Sequence, residues 1–195
     1  MFPHQMYSKI AKSFSNSRWY VWNMVKMFLV RQKCCSKGLE IGCGNGKNIL
    51  FCPELDIIGL DNCPEFLEIC REKGIKNVIE GECLNLPFQK DSFDYVLSVA
   101  VFHHLSDEDF VKAVNEMERV LKTEGEGIIT VWSVENQVKK KFEDGINFVP
   151  YCNNGETVYR YCNIFTKNRI YNYVKHLKIK NFYNEFGNWV IEFTK

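Results

Sequence analysis

No apolar run in this 195-residue chain reaches the roughly 18 to 20 residues that cross a bilayer as a helix, so a helical membrane span is not expected. The apolar stretch 21–30 is broken by Asn23 and Lys26 and is followed by no small-residue cleavage site, so a secretory leader is not expected either. The nine cysteines are odd in number and none has C-x-x-C spacing. That disfavours a disulfide framework and a structural zinc site, and predicts reduced, mostly buried thiols in the cytosol or nucleus. Internal repeats and low-complexity linkers are also missing. What is present, 46% apolar and 25% charged residues, is ordinary globular composition at a length suited to one domain.

The most informative absence is local. Residues 1–37 contain no Asp or Glu beside seven Lys and Arg, a net of +7. Residues 38–135 carry eight basic and nineteen acidic groups, and residues 136–195 ten basic and five acidic. A basic head and tail around an acidic middle suit a polyanionic partner, although segregation over solvated faces produces the same count.

Helical spacing is expected over 7–33, through Ile10, Phe14, Val21, Met24, Val25, Phe28 and Leu29. From Lys37 the period changes. Short strands at 39–41, 55–60, 77–80, 93–99 and 128–132 alternate with helices starting at Lys47, Pro64 and after Ser106, where Ser106 and Asp109 have capping-box spacing. Such alternation predicts a parallel sheet covered on both faces. A last helix over 166–177 precedes two strand-like runs, 179–183 and 189–193, that predict an antiparallel hairpin.

Between the first strand and its helix runs Leu39-Glu40-Ile41-Gly42-Cys43-Gly44-Asn45-Gly46. Glycines at 42, 44 and 46 permit a tight turn and close approach of a ligand. Asp61 ends the next strand 19 residues after Gly42, where a carboxylate accepts hydrogen bonds from ribose hydroxyls. The spacing is G-x-G-x-G rather than the dinucleotide G-x-G-x-x-G, and acidic Glu40 stands two residues before the first glycine.

This combination resembles motif I of the class I S-adenosylmethionine-dependent methyltransferases. Leu84-Asn85-Leu86-Pro87-Phe88, Ser98 through His104, and Val131 through Gln137 further resemble the eukaryotic tRNA wobble-uridine carboxymethyl methyltransferases. So do His4, Tyr7-x-x-Ile10-Ala11, Phe14-Ser15, Ser17-Arg18-Trp19-Tyr20 and Trp22 near the start, and Val149-Pro150, Tyr159-Arg160-Tyr161 with Phe165 and Asn188-Trp189-Val190 near the end. The stretch between Gln137 and Tyr159 looks shorter than in that family, which suggests a trimmed substrate lid.

The resemblance implies a seven-stranded Rossmann-like class I methyltransferase sheet with a C-terminal antiparallel hairpin, over 34–195, preceded by an N-terminal helical extension, 1–33. It implies S-adenosyl-L-methionine as cofactor, bound by Glu40, Gly42, Gly44, Gly46, Asp61, Asn62, Glu82, Cys83, Leu84 and Ser98. It implies methyl esterification of 5-carboxymethyluridine in a tRNA anticodon loop, with Arg18, His103 and Arg160 as catalytic residues. One of His103 and His104 is expected to be structural, and His103 is the preferred site-lining residue. Lys139, Lys140 and Lys141 suit either RNA phosphates or a solvated face. No metal is implied. A small zinc-binding activator is expected on the third-strand edge near Asn77–Glu80, through Val78, Ile79, Leu84, Leu86 and Phe88. Competing readings are a sterol- or quinone-type small-molecule methyltransferase, a cofactor-binding scaffold without activity and, less suited to the loop spacing, an NAD-dependent oxidoreductase.

Overall fold

The computed structural model describes residues 3–137, 142–153 and 155–195, with side chains from residue 6 onward. The lysines at 139–141 and the side chain of His4 lie outside the described residues. From Lys37 strands and helices alternate: β1 (Lys37–Ile41), α3 (Lys47–Phe51), β2 (Asp56–Asp61), α4 (Pro64–Glu72), β3 (Val78–Glu80), β4 (Phe93–Val99), α5 (Asp107–Val120) and β5 (Leu121–Trp132). Two helices precede them, α1 (Pro3–Asn16) and α2 (Asn23–Leu29). A hairpin β6 (Gly145–Asn153) and β7 (Glu156–Ile164), then α6 (Lys167–Val174), β8 (Lys178–Glu185) and β9 (Asn188–Thr194) complete the chain.

The main sheet has seven strands in the order β3-β2-β1-β4-β5-β9-β8. β1 to β5 pair in parallel, and β9 is inserted antiparallel between β5 and β8. This is the expected α/β sheet with its closing hairpin. Side chains alternate across it: Leu39, Ile41 and Val96 join a core under α5 and α6, whereas Tyr95, Leu97 and Ile128 join a second core under α2 and α4. Strand order reverses between β1 and β4, which opens a crevice at their carboxyl ends.

Two expectations are corrected. The helix over 7–33 is interrupted at 17–22: the Ser17 hydroxyl donates to the Phe14 carbonyl at 2.8 Å, and Asn45 Nδ2 donates to the carbonyls of Ser15 and Arg18. Those carbonyls are therefore satisfied without a continuing helix. The stretch 145–164, to which no strands were assigned, is a two-stranded sheet, β6 with β7, in register from Gly145↔Ile164 to Asn153↔Glu156.

Candidate active site

A cavity of about 900 Å³ opens over the carboxyl ends of β1, β2 and β4. Its walls are the glycine loop, the strap 17–22, the loop 81–84, the single-turn helix Phe102–His104, and Trp132 with Arg160. Sequence alone places these segments far apart; the strand order brings them to one crevice.

In one half lie the acidic groups. Gly42 (φ +68°) turns the chain out of β1, where a Cβ would meet Val101 at 2.4 Å; Gly44 (φ +53°) has open space in place of a Cβ. Below it Glu40 is buried, and Asn48 Nδ2 donates to its Oε1 at 2.6 Å. Glu40 Oε2 and Asn48 Oδ1 have no partner among the described residues. Burial pushes the Glu40 carboxyl up to about 8. Asp61 accepts from the Gly44 amide (2.8 Å) and the Cys63 amide (3.0 Å), and burial, opposed by those amides, holds it at about 6. Asn62 donates to both oxygens of exposed Glu82 at 3.3 Å. Cys83 and Leu84 line the same wall. Gly46 and Ser98 do not reach the cavity. A Cβ on Gly46 would meet Ile75 at 2.2 Å, so this glycine serves the packing behind the loop. Ser98 is wholly buried in β4, and Val99, Ala100 and Val101 take the lining positions after it.

The other half is cationic and aromatic. Arg160 is only 5% exposed, with its guanidinium carbon 5.3 Å from the Trp132 ring centre and 5.7 Å from that of Tyr151. Its Nε has no partner among the described residues. Arg18 is exposed, lies 4.9 Å over Phe14 and donates to the Ser17 carbonyl at 3.2 Å. The two expected arginines thus share a cavity but differ: one is a fixed buried cation, the other a rim residue.

The histidines also part company. His104 Nδ1 lies 2.7 Å from the Tyr161 carbonyl and Nε2 lies 2.9 Å from the Tyr7 hydroxyl. Burial lowers its pKa to about 4. His103, 1% exposed, stacks on Trp132 at 4.9 Å, and its Nδ1 is without a partner among the described residues. Burial, then His104 and the Arg160 charge, hold it neutral, well below the ordinary histidine range. His103, His104 and Cys162 bring ligand-type atoms within 4.8 Å of one another. Both His104 nitrogens are engaged and the Arg160 charge bears on both rings, which disfavours a cation there.

Sequence reasoning gave no role to Tyr7, Asn48 or Trp132, though all three line the cavity. Tyr7 and Trp132 stood inside segments that carry the family resemblance, and Asn48 sits on α3 eight residues after Glu40.

The family model described as a methyltransferase domain matches residues 39–129. The tRNA (carboxymethyluridine(34)-5-O)-methyltransferase of Schizosaccharomyces pombe is 37% identical over 147 residues, 74% of this chain and 64% of that protein. An Encephalitozoon cuniculi protein, provisionally named a methyltransferase, is 38% identical over 147 residues, 72% of this chain and 67% of its own length. Among solved structures, a Haloferax volcanii complex of the Trm112 methyltransferase activator with a methyltransferase matches at TM-score 0.74 and 15% identity, over 98% of this chain and 96% of that one, a likeness of fold. The chain spans less than two thirds of the Schizosaccharomyces pombe protein. At 38% identity to a methyltransferase of which it covers two thirds, and with this family model, the chain belongs to the class I S-adenosylmethionine-dependent methyltransferases, and it is similar to curated proteins named for tRNA carboxymethyluridine methylation.

Proposed function

We propose that this chain esterifies the carboxylate of 5-carboxymethyluridine at the tRNA wobble position. The observation that carries the reading is the buried Arg160, with its unpartnered Nε, facing the same cavity as the acidic half. A buried guanidinium calls for an anion, and a planar carboxylate suits its fork.

The residues present fit S-adenosyl-L-methionine, the cofactor of this family. Glu40 Oε2 and Asn48 Oδ1 are orphaned acceptors suited to an ammonium. Asp61, with lone pairs left beyond its two amides, suits ribose hydroxyls, and Gly44 leaves room above the loop. Asn62, Glu82, Cys83 and Leu84 complete the wall on the adenine side in this reading. When bound, the cofactor supplies a methyl group on a cationic sulfur. The acceptor carboxylate is already ionised at neutral pH, given a model carboxyl pKa of about 4, so no general base is required. Arg160 holds the anion in place, His103 borders it as a neutral ring, and Arg18 closes the rim. Catalysis rests on positioning and charge placement.

The same reading includes a small activator of the kind seen with the Haloferax volcanii methyltransferase, docked on the edge strand β3. Less apolar surface is free there than the sequence suggested: Val78 and Leu86 are buried, and Ile79, Leu84 and Phe88 pack partly against the core. The backbone edge is what remains to receive a strand.

The test is nucleoside mass spectrometry of carboxymethylated tRNA incubated with the protein, activator and S-adenosylmethionine. Methyl ester should form, and Arg160→Ala should lower the rate about 30- to 1,000-fold, the equivalent of about 2 to 4 kcal/mol. Cofactor affinity should change less than about twofold, because Arg160 stands apart from the acidic half. Arg18→Ala should cost less, since a solvated arginine surrenders less desolvated charge. Equal turnover of small carboxylic acids and tRNA would defeat the reading.

A further inference from the structure

The strap 17–22 borders a second hollow of about 340 Å³, whose walls include Trp19, Lys47, Leu50, Phe51 and Lys73. Trp19, Asn45 and Lys47 line the main cavity as well, so the two spaces adjoin. The indole of Trp19 is 78% exposed, a large apolar surface left uncovered. Among the described residues its one ring contact is the edge-to-face meeting with Tyr20 at 6.0 Å, which leaves at least one indole face open. Tyr20 is itself held, its hydroxyl donating to Asn23 Oδ1 at 2.9 Å with Lys26 Nζ 4.4 Å over its ring. The nearby cations have no acidic partner. Lys47 Nζ donates to the Tyr20 carbonyl at 3.1 Å, and Lys73 Nζ to the Asn45 carbonyl at 3.0 Å and the Ser15 hydroxyl at 3.5 Å. An ammonium has three donors, so beyond these contacts Lys47 keeps two and Lys73 one. Neither is ion-paired among the described residues, and of the seven cations in 1–37 only Arg31 is.

An open aromatic face beside uncompensated ammoniums suits a base and its phosphate, the combination by which single-stranded nucleic acid is held. We propose that the second hollow takes the nucleotide next to the target uridine, with its base stacked on Trp19 and a phosphate held by Lys47 and Lys73. The inference rests on the reading of the main cavity as the acceptor site for an RNA uridine. Trp19 and Lys47 border both spaces, so adjacent nucleotides of one strand can occupy them together. A protein segment seated on Leu50 and Phe51 would use the apolar rim and leave the two ammoniums unmatched.

The experiment is fluorescence-polarisation binding of a short single-stranded RNA with a central uridine to the full chain, over a series of salt concentrations. Trp19→Ala should weaken binding about tenfold at every salt concentration, and Trp19→Phe, which keeps a stacking face, by less. RNA lacking the base at one of the two neighbours of the uridine should bind wild type about tenfold more weakly than intact RNA, and Trp19→Ala should not distinguish the two. Lys73→Gln should lower the slope of log affinity against log salt by about 0.7, the value for one single-strand phosphate. Asn45→Ala, which loosens the strap without removing a charge, should leave that slope unchanged. Melting curves establish that each variant is folded. No RNA binding by wild type, equal affinity of Trp19→Ala and wild type, a missing-base penalty that survives in Trp19→Ala, or an equal fall in slope in Asn45→Ala would overturn the proposal. Absence of methyl ester with the binding pattern intact would instead remove the substrate reading and leave the nucleotide subsite standing.

Discussion

Glu40 is a carboxyl group placed where its ionised form is costly. Its pKa, raised to about 8 from 4.5 by burial, means that the folded protein keeps a proton that the unfolded chain releases. Its contribution to stability is thus complete below about pH 4.5 and is lost as pH rises through about 8. Glu40→Gln removes that loss while keeping an acceptor for Asn48. The variant should match wild type near pH 4 and exceed it at pH 7 by on the order of 1 to 3 kcal/mol. In the same variant S-adenosylmethionine should bind about tenfold to a hundredfold more weakly, because a charged hydrogen bond of about 1.5 to 3 kcal/mol is gone. Thermal melts at pH 4 and 7 with calorimetric titration check both signs; a variant that is less stable at pH 7, or binds normally, contradicts the assignment. Asp61 behaves differently, since its two oxygens already hold the Gly44 and Cys63 amides. Asp61→Ala should therefore lose stability together with cofactor affinity, at about 1 to 3 kcal/mol for each stranded donor, whereas Asp61→Asn keeps one acceptor and should melt higher than Asp61→Ala. Calorimetry on the pair checks the order.

Among the elements, the strap 17–22 is held from below as well as by the backbone bonds of Ser17 and Arg18 to the end of α1. Asn45 Nδ2 reaches the Ser15 carbonyl and hydroxyl at 3.2 Å and the Arg18 carbonyl at 3.0 Å, and Lys47 Nζ reaches the Tyr20 carbonyl at 3.1 Å. Asn45→Ala removes three of these contacts. At about 0.5 to 1.5 kcal/mol for a typical bond, local opening should rise by one to two orders of magnitude. Tryptic cleavage after Arg18, timed with the core intact, reads this directly; an unchanged rate would mean that the strap is held elsewhere. This break in the helix was hidden in the sequence because the apolar spacing of Val21, Met24 and Phe28 continues that of Ile10 and Phe14, while the carbonyl acceptors are satisfied by a residue 30 positions away. The parallel strands and the glycine loop were legible because each is specified locally, by β-forming runs between turn residues. The β6–β7 hairpin also had a local mark, Asn-Gly at 154–155 between alternating runs, but no strands were read there. Arg160 and His103 were legible as residues. The division between fixed Arg160 and rim Arg18 was not, since it depends on Trp132 and Tyr151 arriving from other strands.

Over the whole molecule, the segregation of charge along the chain is partly cancelled by the fold. Arg31 pairs with Glu192 at 2.6 Å, Lys180 with Glu126 at 2.6 Å, Lys195 with Asp91 at 2.6 Å, and Arg169 with Asp107. A basic tail thus neutralises part of the acidic middle, so the global asymmetry alone says little about a polyanion. The sheet edge is more specific. The Gly59 amide donates to the Asn77 carbonyl and the Gly81 amide to the Asp61 carbonyl, so residues 77 and 81 point into the sheet. By the alternation of parallel strands, Val78 and Glu80 then direct their backbone groups to the open side. The Val78 amide already donates to the Lys76 carbonyl at 3.0 Å, and Val78 itself is in the core, so a charged substitution there would unfold the chain rather than probe docking. Glu80 is exposed and its amide faces outward. Glu80→Pro should leave stability within about 0.5 kcal/mol, because proline is tolerated where an edge strand's N–H faces solvent. If the proposed activator docks on this edge, its binding should also weaken at least about tenfold, since the variant deletes one strand-addition hydrogen bond and sets a ring against the incoming backbone. Isothermal titration of the activator, beside Glu80→Ala, which keeps the amide, separates the backbone from the side chain. Equal affinity of Glu80→Pro and Glu80→Ala would place the partner on another surface.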